Sequence, residues 1–455
     1  MKARRMKYKN LPIVCFALFV FLSALSVCPA AWGATYYVDN RASNTSDSNP
    51  GTQAQPWKTM DHAASTMTAG DTTFVKAGTY NEVIQFDHSG TSSSPITLQA
   101  YPGDRPIVDG AGKNAPSYKG SIYGANVSNI VVDGFEIKNS DEYGIEFQYA
   151  SNITIKNCYI HDVNRNGIEF MYSKDSVVEH NEVFATGWNC ISSESGSNIK
   201  FLYNYVHDNP AHAGLNIFPK TIENPQGHYS GNDVIGNVTD GCAGAVYLRF
   251  QQNCIIANNV IMNDLINGIC IDGNHTGETH NYTATGLVIY NNTIVNSASV
   301  GYKNYNASGV TLKNNIFSGN GAGRYAQVEI RSAAVSGSIL DNNLYYSGEK
   351  IIWGGSTYSS ISSFRSATGQ EQHAVTADPR FVNINADNYS LTSGSSAIDK
   401  GANLSQSVSN DIDGTTRPQG NGFDIGAYEY ATSGTGMSNP VVLDAPSNLR
   451  VLSVK

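Results

Sequence analysis

Short alternations of apolar and polar residues recur along most of the chain. From Ser128 to Gly196 one unit is written three times: SNIVVDGFEIKNSDEYGIEFQYA (Ser128–Ala150), SNITIKNCYIHDVNRNGIEFMYS (Ser151–Ser173) and KDSVVEHNEVFATGWNCISSESG (Lys174–Gly196). Each unit holds three short runs, one like SNITIKN, one like CYIHD and, after a turn carrying Asn or Gly, one like GIEFMY. Strands of this length with period-two alternation cannot bury a face alone, but stacked in parallel at about 4.8 Å they can. The repeat therefore predicts an all-β solenoid in which each unit is one coil, and it overrides the several globular domains that length alone would suggest.

An asparagine returns once per coil, at Asn157, Asn181, Asn204, Asn237, Asn259, Asn292, Asn315 and Asn343. An inward Asn at a turn can bond the backbone and the amide of the Asn above it, so these positions predict a ladder that satisfies otherwise unpaired groups. Segments longer than the basic period, at 219–232, 273–285 and 319–326, predict external loops. Before the repeats, Met60, Ala63, Ala64 and Met67 fall on one face of a helix predicted over Thr59–Thr68, which would cover the open end of the core. The segments VDNRASNTSDSNPGTQAQPWKTMDHAA and AGDTTFVKAGTYNE resemble the N-terminal cap and first coils of secreted right-handed parallel β-helix proteins of the pectin-lyase-like type. ADPRFV (Ala377–Val382), YSLTSGSSAIDKGAN (Tyr389–Asn403) and DIDGTTRPQGNGFDIGAYEY (Asp411–Tyr430) resemble the closing segment of such proteins. The resemblance implies a right-handed parallel β-helix with a short N-terminal cap helix. Its expected divisions are a leader at 1–34, cap and first coils at 35–112, repeats at 113–372, closing coils at 373–430, and a Gly/Ser-rich linker and short tail at 431–455.

The leader reading rests on Lys2, Arg4, Arg5, Lys7 and Lys9, an apolar run from Leu11 to Val27, and the small-residue stretch Ala30–Ala34. That is the layout of a secretory signal peptide, and the apolar run is short for a membrane span. Val27 stands where a lipidated Cys28 would be preceded by a small residue, which argues against a lipid anchor. Cleavage near Ala34 would remove five basic and no acidic residues, taking the formal charge from −9 to −14. Nucleic acid and anionic membrane are thereby disfavoured as partners, and a secreted or cell-surface monomer acting on polysaccharide is expected. Cys158, Cys190, Cys242, Cys254 and Cys270 would remain, an odd number without metal spacing, read as buried thiols with at most two bridges.

Aligning coils on the third strand places Glu146, Glu169, Ser192, Asn216, Tyr247, Cys270, Lys303 and Glu329 in one outward column. Gln148, Met171, Glu194, Phe218, Arg249, Asp272, Tyr305 and Arg331 form a second. The middle of this wall mixes charge with aromatic rings, the composition an acidic-glycan site needs. A lyase must neutralise a uronate carboxylate, abstract the acidified C5 proton and protonate the leaving oxygen. On that reading Lys220 is the base and Arg249 the neutraliser or acid. Tyr247, Asp272, Arg331, Glu169 and Glu194 bind substrate, and the two glutamates would hold any Ca²⁺. LNIFPK (Leu215–Lys220) and LRFQQNCIIANNVI (Leu248–Ile261) resemble the Lys-bearing and Arg-bearing coils of β-helix lyases of the alginate lyase and chondroitinase B type. That family places acidic calcium ligands close before its lysine, whereas Leu215, Asn216, Ile217 and Phe218 stand here.

His212 could carry a proton in a lyase or C5-epimerase. His161 and His207, each followed by Asp, sit on equivalent turns and are equally expected from a repeat that copies its turns. Outside the cap there is no adjacent Asp-Asp pair or GHG motif of polygalacturonase-like hydrolases, and the WIDH segment of pectate lyases is absent. Asp411, Asp413 and Asp424 near Glu429 lack the spacing of an EF-hand loop, which points to a structural turn. The opposing expectation is a non-catalytic protein that uses the same wall to bind glycan or as a spacer.

Overall fold

A computed structural model of the protein describes residues 33–113, 116–219, 229–272 and 284–431. The leader, the linker with its tail, and two of the three predicted loops lie largely outside these residues. Each coil gives one strand to each of three sheets, as in Ser151–Lys156, Tyr159–His161 and Ile168–Met171. The sheets hold 12, 11 and 12 strands, paired in parallel coil to coil except for one antiparallel pair at the C-terminal end of the third. Inward residues stack on their equivalents: Ile153 on Ile130 in the first sheet, Ile160 on Ile137 in the second, Phe147 on Phe170 in the third. The stack continues as rings, with Phe86–Phe147 and Phe147–Phe170 centroids 6.0 and 6.2 Å apart. The result is one continuous apolar core along the axis.

The asparagine ladder runs from Asn181 through Asn204, Asn237, Asn259, Asn292 and Asn315 to Asn343, each fully or almost fully buried. Every rung donates from Nδ2 to the next rung's Oδ1 and to a backbone carbonyl of the preceding coil. Asn157 is a correction. Cys158 holds the ladder register and its N–H donates to Asn181 Oδ1 at 3.0 Å, while Asn157 lies one residue earlier on the surface with φ 54°. That earlier column needs left-handed backbone, and it is filled in later coils by Asn258, Asn291, Asn314 and Asn342 at φ 53–57°. Two asparagines in a row thus serve two different purposes, and the sequence reading took the wrong one of the pair in this coil.

The cap helix spans Met60–Thr66, with Thr59 accepting from the His62 N–H and Met60, Ala63 and Ala64 facing the core. At the other end a helix at Ile361–Thr368 buries Ile361 and Phe364. Beside it Glu371 terminates the ladder, accepting from Asn343 Nδ2 and Tyr345 OH at 2.7 Å each.

The expected closing coils at 373–430 are also corrected. Val375 pairs in parallel with Leu344 as one further bridge of the second sheet; beyond it the segment adds no strand to the three sheets and runs back along the flank of the solenoid as a strap. Tyr389, Ile412, Ala427 and Tyr428 pack on Val260, Met262 and Val295, and Leu391, Ala397 and Ile425 pack on Ile316 and Leu344. Asn258, Asn291, Asn314 and Asn342 donate to strap carbonyls at 2.7–3.1 Å. All five thiols in the described residues are free and buried.

Candidate functional site

The third sheet realises the predicted wall register in every coil, pairing Glu146, Glu169, Ser192, Asn216, Tyr247, Cys270, Lys303 and Glu329 in succession. The two ends of this column behave differently. At the N-terminal end Glu146 and Glu169 are fully buried and Glu194 is 8% exposed. Glu169 accepts from the Asn166 amide, and Lys119 stands 3.7 Å from Glu146. Burial first, then the charge of Glu194, holds the Glu169 carboxyl well above the usual carboxylate range. Glu169 and Glu194, expected to face substrate and hold a metal, are therefore buried.

Further along the axis the wall opens into a cleft of about 740 Å³, lined by His212, Asn216, Tyr247, Asp272, Tyr305 and Arg331 among others. Four predicted residues meet here: His212 on the turn entering the Ala213–Phe218 strand, Tyr247 and Asp272 on successive strands, and Arg331 just after Val328–Ile330. Tyr247 OH donates to Asp272 Oδ2 at 3.0 Å and accepts from Arg249 Nε at 3.2 Å, with the guanidinium 5.1 Å from its own ring centre. Burial pushes the Tyr247 hydroxyl well up, against the pull of Arg249. Arg331 lies over the Tyr305 ring at 4.3 Å and bonds Glu329 at 3.2 Å, and Lys303 reaches the same carboxylate at 3.2 Å. The floor includes Cys270, whose thiol burial raises to about 12 and so keeps protonated. Lys220 lies outside the described residues.

His161 and His207 are occupied elsewhere. Each donates from Nδ1 to the carboxylate of the following Asp, at 2.7 and 2.9 Å, and each stacks on Phe184 on the outer face of the second sheet. Among the described residues no three His, Cys, Asp or Glu gather to hold a metal ion. In the strap, Asp411 accepts from the N–H groups of Asp413, Thr415 and Glu429, and Asp424 from those of Asp399 and Tyr430. These carboxylates build a turn. Sequence reasoning missed Asn267 as part of the cleft; no residue pattern marks which outward positions a groove reaches.

This fold with a polar, aromatic-lined groove on one wall defines a class, and the chain belongs to the family described as Pel9A-like, right-handed β-helix region, which matches residues 36–336. Pectate lyase PEL9 of Emericella nidulans is 38% identical over 84 residues, 18% of this chain and 20% of that protein. An uncharacterized protein of Bacillus subtilis, YwoF, is 39% identical over 67 residues, 15% of this chain and 14% of that one. The chain thus aligns with a fifth or less of either relative. Among solved structures, pectate lyase Pel9A superposes with a TM-score of 0.53 at 17% identity, covering 87% of this chain and 96% of its own. XylC in complex with xylose does so with 0.56 at 12%, covering 88% and 99%. At these identities the likeness concerns the fold.

Proposed function

We propose that this protein is an exported polysaccharide lyase that cleaves a uronate-containing glycan in the third-sheet cleft by β-elimination. The observation that carries the reading is the Arg249–Tyr247–Asp272 array, a cation, a phenol and a carboxylate fixed in contact, of which Tyr247 and Asp272 line the cleft together with His212 and Arg331. A uronate carboxylate set against Arg249 loses much of its charge, which acidifies the C5 proton. Lys220 removes that proton, the electron pair forms the C4–C5 double bond, and the C4–O bond breaks. His212 supplies the proton that the departing oxygen takes. Asp272 holds the Tyr247 hydroxyl in place, and Tyr305 with Arg331 offers a stacking surface for a neighbouring sugar.

The test is incubation of the mature chain with polygalacturonate, alginate and chondroitin, with and without EDTA, while following the absorbance of unsaturated ends. Product on one polymer, abolished by Lys220→Ala and strongly reduced by Arg249→Lys, is the expected result. No absorbance on any of the three refutes the lyase. Retardation of a glycan without product would assign the wall to binding alone.

A further inference from the structure

The turn that leads into the third sheet carries three side chains that the lyase reading leaves unused. Trp188 is 46% exposed and Tyr118 is 52% exposed, although large apolar side chains normally go inside. Arg165 lies between them, its guanidinium carbon 4.6 Å from each ring centre, and it is ion-paired to Glu142. The arrangement is fixed from below. The Trp188 N–H donates to Arg165 O at 3.2 Å, and the Trp188 carbonyl accepts from Thr186 Oγ1 at 2.8 Å and from Asn209 Nδ2. An exposed indole on so constrained a backbone offers apolar area at little cost in ordering, the property that makes aromatic residues good binding anchors.

Its position says what it would bind. Asn189, the next residue, lines the cleft, and its Oδ1 accepts the N–H of Ala213, which lines the cleft as well. The Cys190 N–H donates to Ala213 O, so Trp188 stands one coil from His212, a step of about 4.8 Å along the axis. A glycan lying along the third sheet and filling the cleft passes over the indole within a unit or two of its reacting bond. The flat C–H face of a pyranose suits an aromatic ring.

We propose that Trp188, braced by Arg165 and Tyr118, is a sugar-stacking subsite that extends the cleft toward the N-terminal end of the solenoid and binds a distal unit of the same acidic polysaccharide. The proposal rests on the cleft being the glycan site. It requires affinity to grow with chain length where the glycan first reaches Trp188, and requires that growth to vanish with the indole.

The experiment titrates the mature protein with oligogalacturonates and oligoalginates from disaccharide to octasaccharide, for wild type, Trp188→Ala, Trp188→Phe and Tyr247→Ala. Trp188→Ala should weaken the longest oligomer about tenfold, the size of one aromatic contact, and leave the shortest unchanged. Trp188→Phe should recover part of the loss, and Tyr247→Ala should weaken every length. Trp57 is buried and Trp353 packs on Phe364, so quenching of exposed tryptophan by long oligomers should disappear with Trp188. An unchanged thermal midpoint is expected, because the structural bonds of Trp188 are made by its backbone. Length dependence identical in wild type and Trp188→Ala overturns the subsite while sparing the cleft. No binding of any oligomer by wild type overturns both.

Discussion

Asn259 is the sharpest probe of the architecture. Its Nδ2 donates to Asn292 Oδ1 and to Val234 O at 2.9 Å each, and its Oδ1 accepts from the backbone N–H and the amide of Asn237 at 2.9 and 3.1 Å. Asn259→Ala removes all four bonds. Asn292 Oδ1 keeps the Asn259 N–H and the Asn237 amide keeps Phe201 O, so those two groups stay satisfied. The Asn237 N–H is the group left stranded in a dry interior, because the Val234 carbonyl stays in the parallel ladder with the Ile255–Ala257 strand. At about 1–3 kcal/mol for a stranded buried group, the variant should lose roughly that amount. Asn157→Gly is the matched control, since the Asn157 side chain bonds Asp133 on the surface and glycine accepts its φ of 54°. It should change stability by under about 1 kcal/mol. Guanidinium denaturation followed by far-UV circular dichroism reads both. Equal shifts for the two variants, or a loss below about 1 kcal/mol at Asn259, would refute the claim that the ladder holds the coils in register.

Three further outcomes are expected. Burial raises the Glu371 carboxyl from an ordinary 4.5 to about 7, so folding takes up a proton between these values. Its stabilising contribution is then complete below the unfolded pKa and lost as pH rises through about 7. Glu371→Gln should accordingly be near neutral at pH 5 and stabilising by up to about 3 kcal/mol at pH 8, checked by thermal melts at both values. Arg417 is fully buried against Glu429 at 2.7 Å, and Arg417→Met would strand that carboxylate at a cost of about 3–5 kcal/mol. Limited proteolysis should then cut the strap; an equally resistant variant speaks against its docking through this pair. Tyr247→Phe breaks the bonds to Asp272 and Arg249 without touching the core, and should lower kcat/KM by about ten- to a hundredfold on whichever polymer is cleaved. Unchanged kinetics would remove the array from the reaction.

The fold was legible because a β-helix writes one structural decision many times. The wall register from Glu146 to Glu329 could be read across coils of unequal length because Gly-Ile and similar steps mark the same inward position in each. What failed was local. Asn157 and Cys158 compete for one place, and only the backbone conformation decides which faces in. Burial of Glu169 was invisible, since period-two alternation says which side of the sheet a residue is on and nothing about what lies over it. The strap did leave a trace. The second-sheet outer positions change from Tyr159, Glu182 and Tyr205 to Val238, Val260, Thr293, Ile316 and Leu344, apolar but for the threonine, the mark of a face that something covers.

A stack of coils touching only their neighbours is free to fray from either end, each layer peeling at its own cost. The strap changes that. Its Arg417 reaches Asn258 across 159 positions of sequence, and its other contacts fall on coils as far on as Leu344. Layers from the middle of the molecule to its last turn are thereby tied by a single late-made length of chain. Their melting should merge into one transition, with the untied N-terminal turns left to open by themselves.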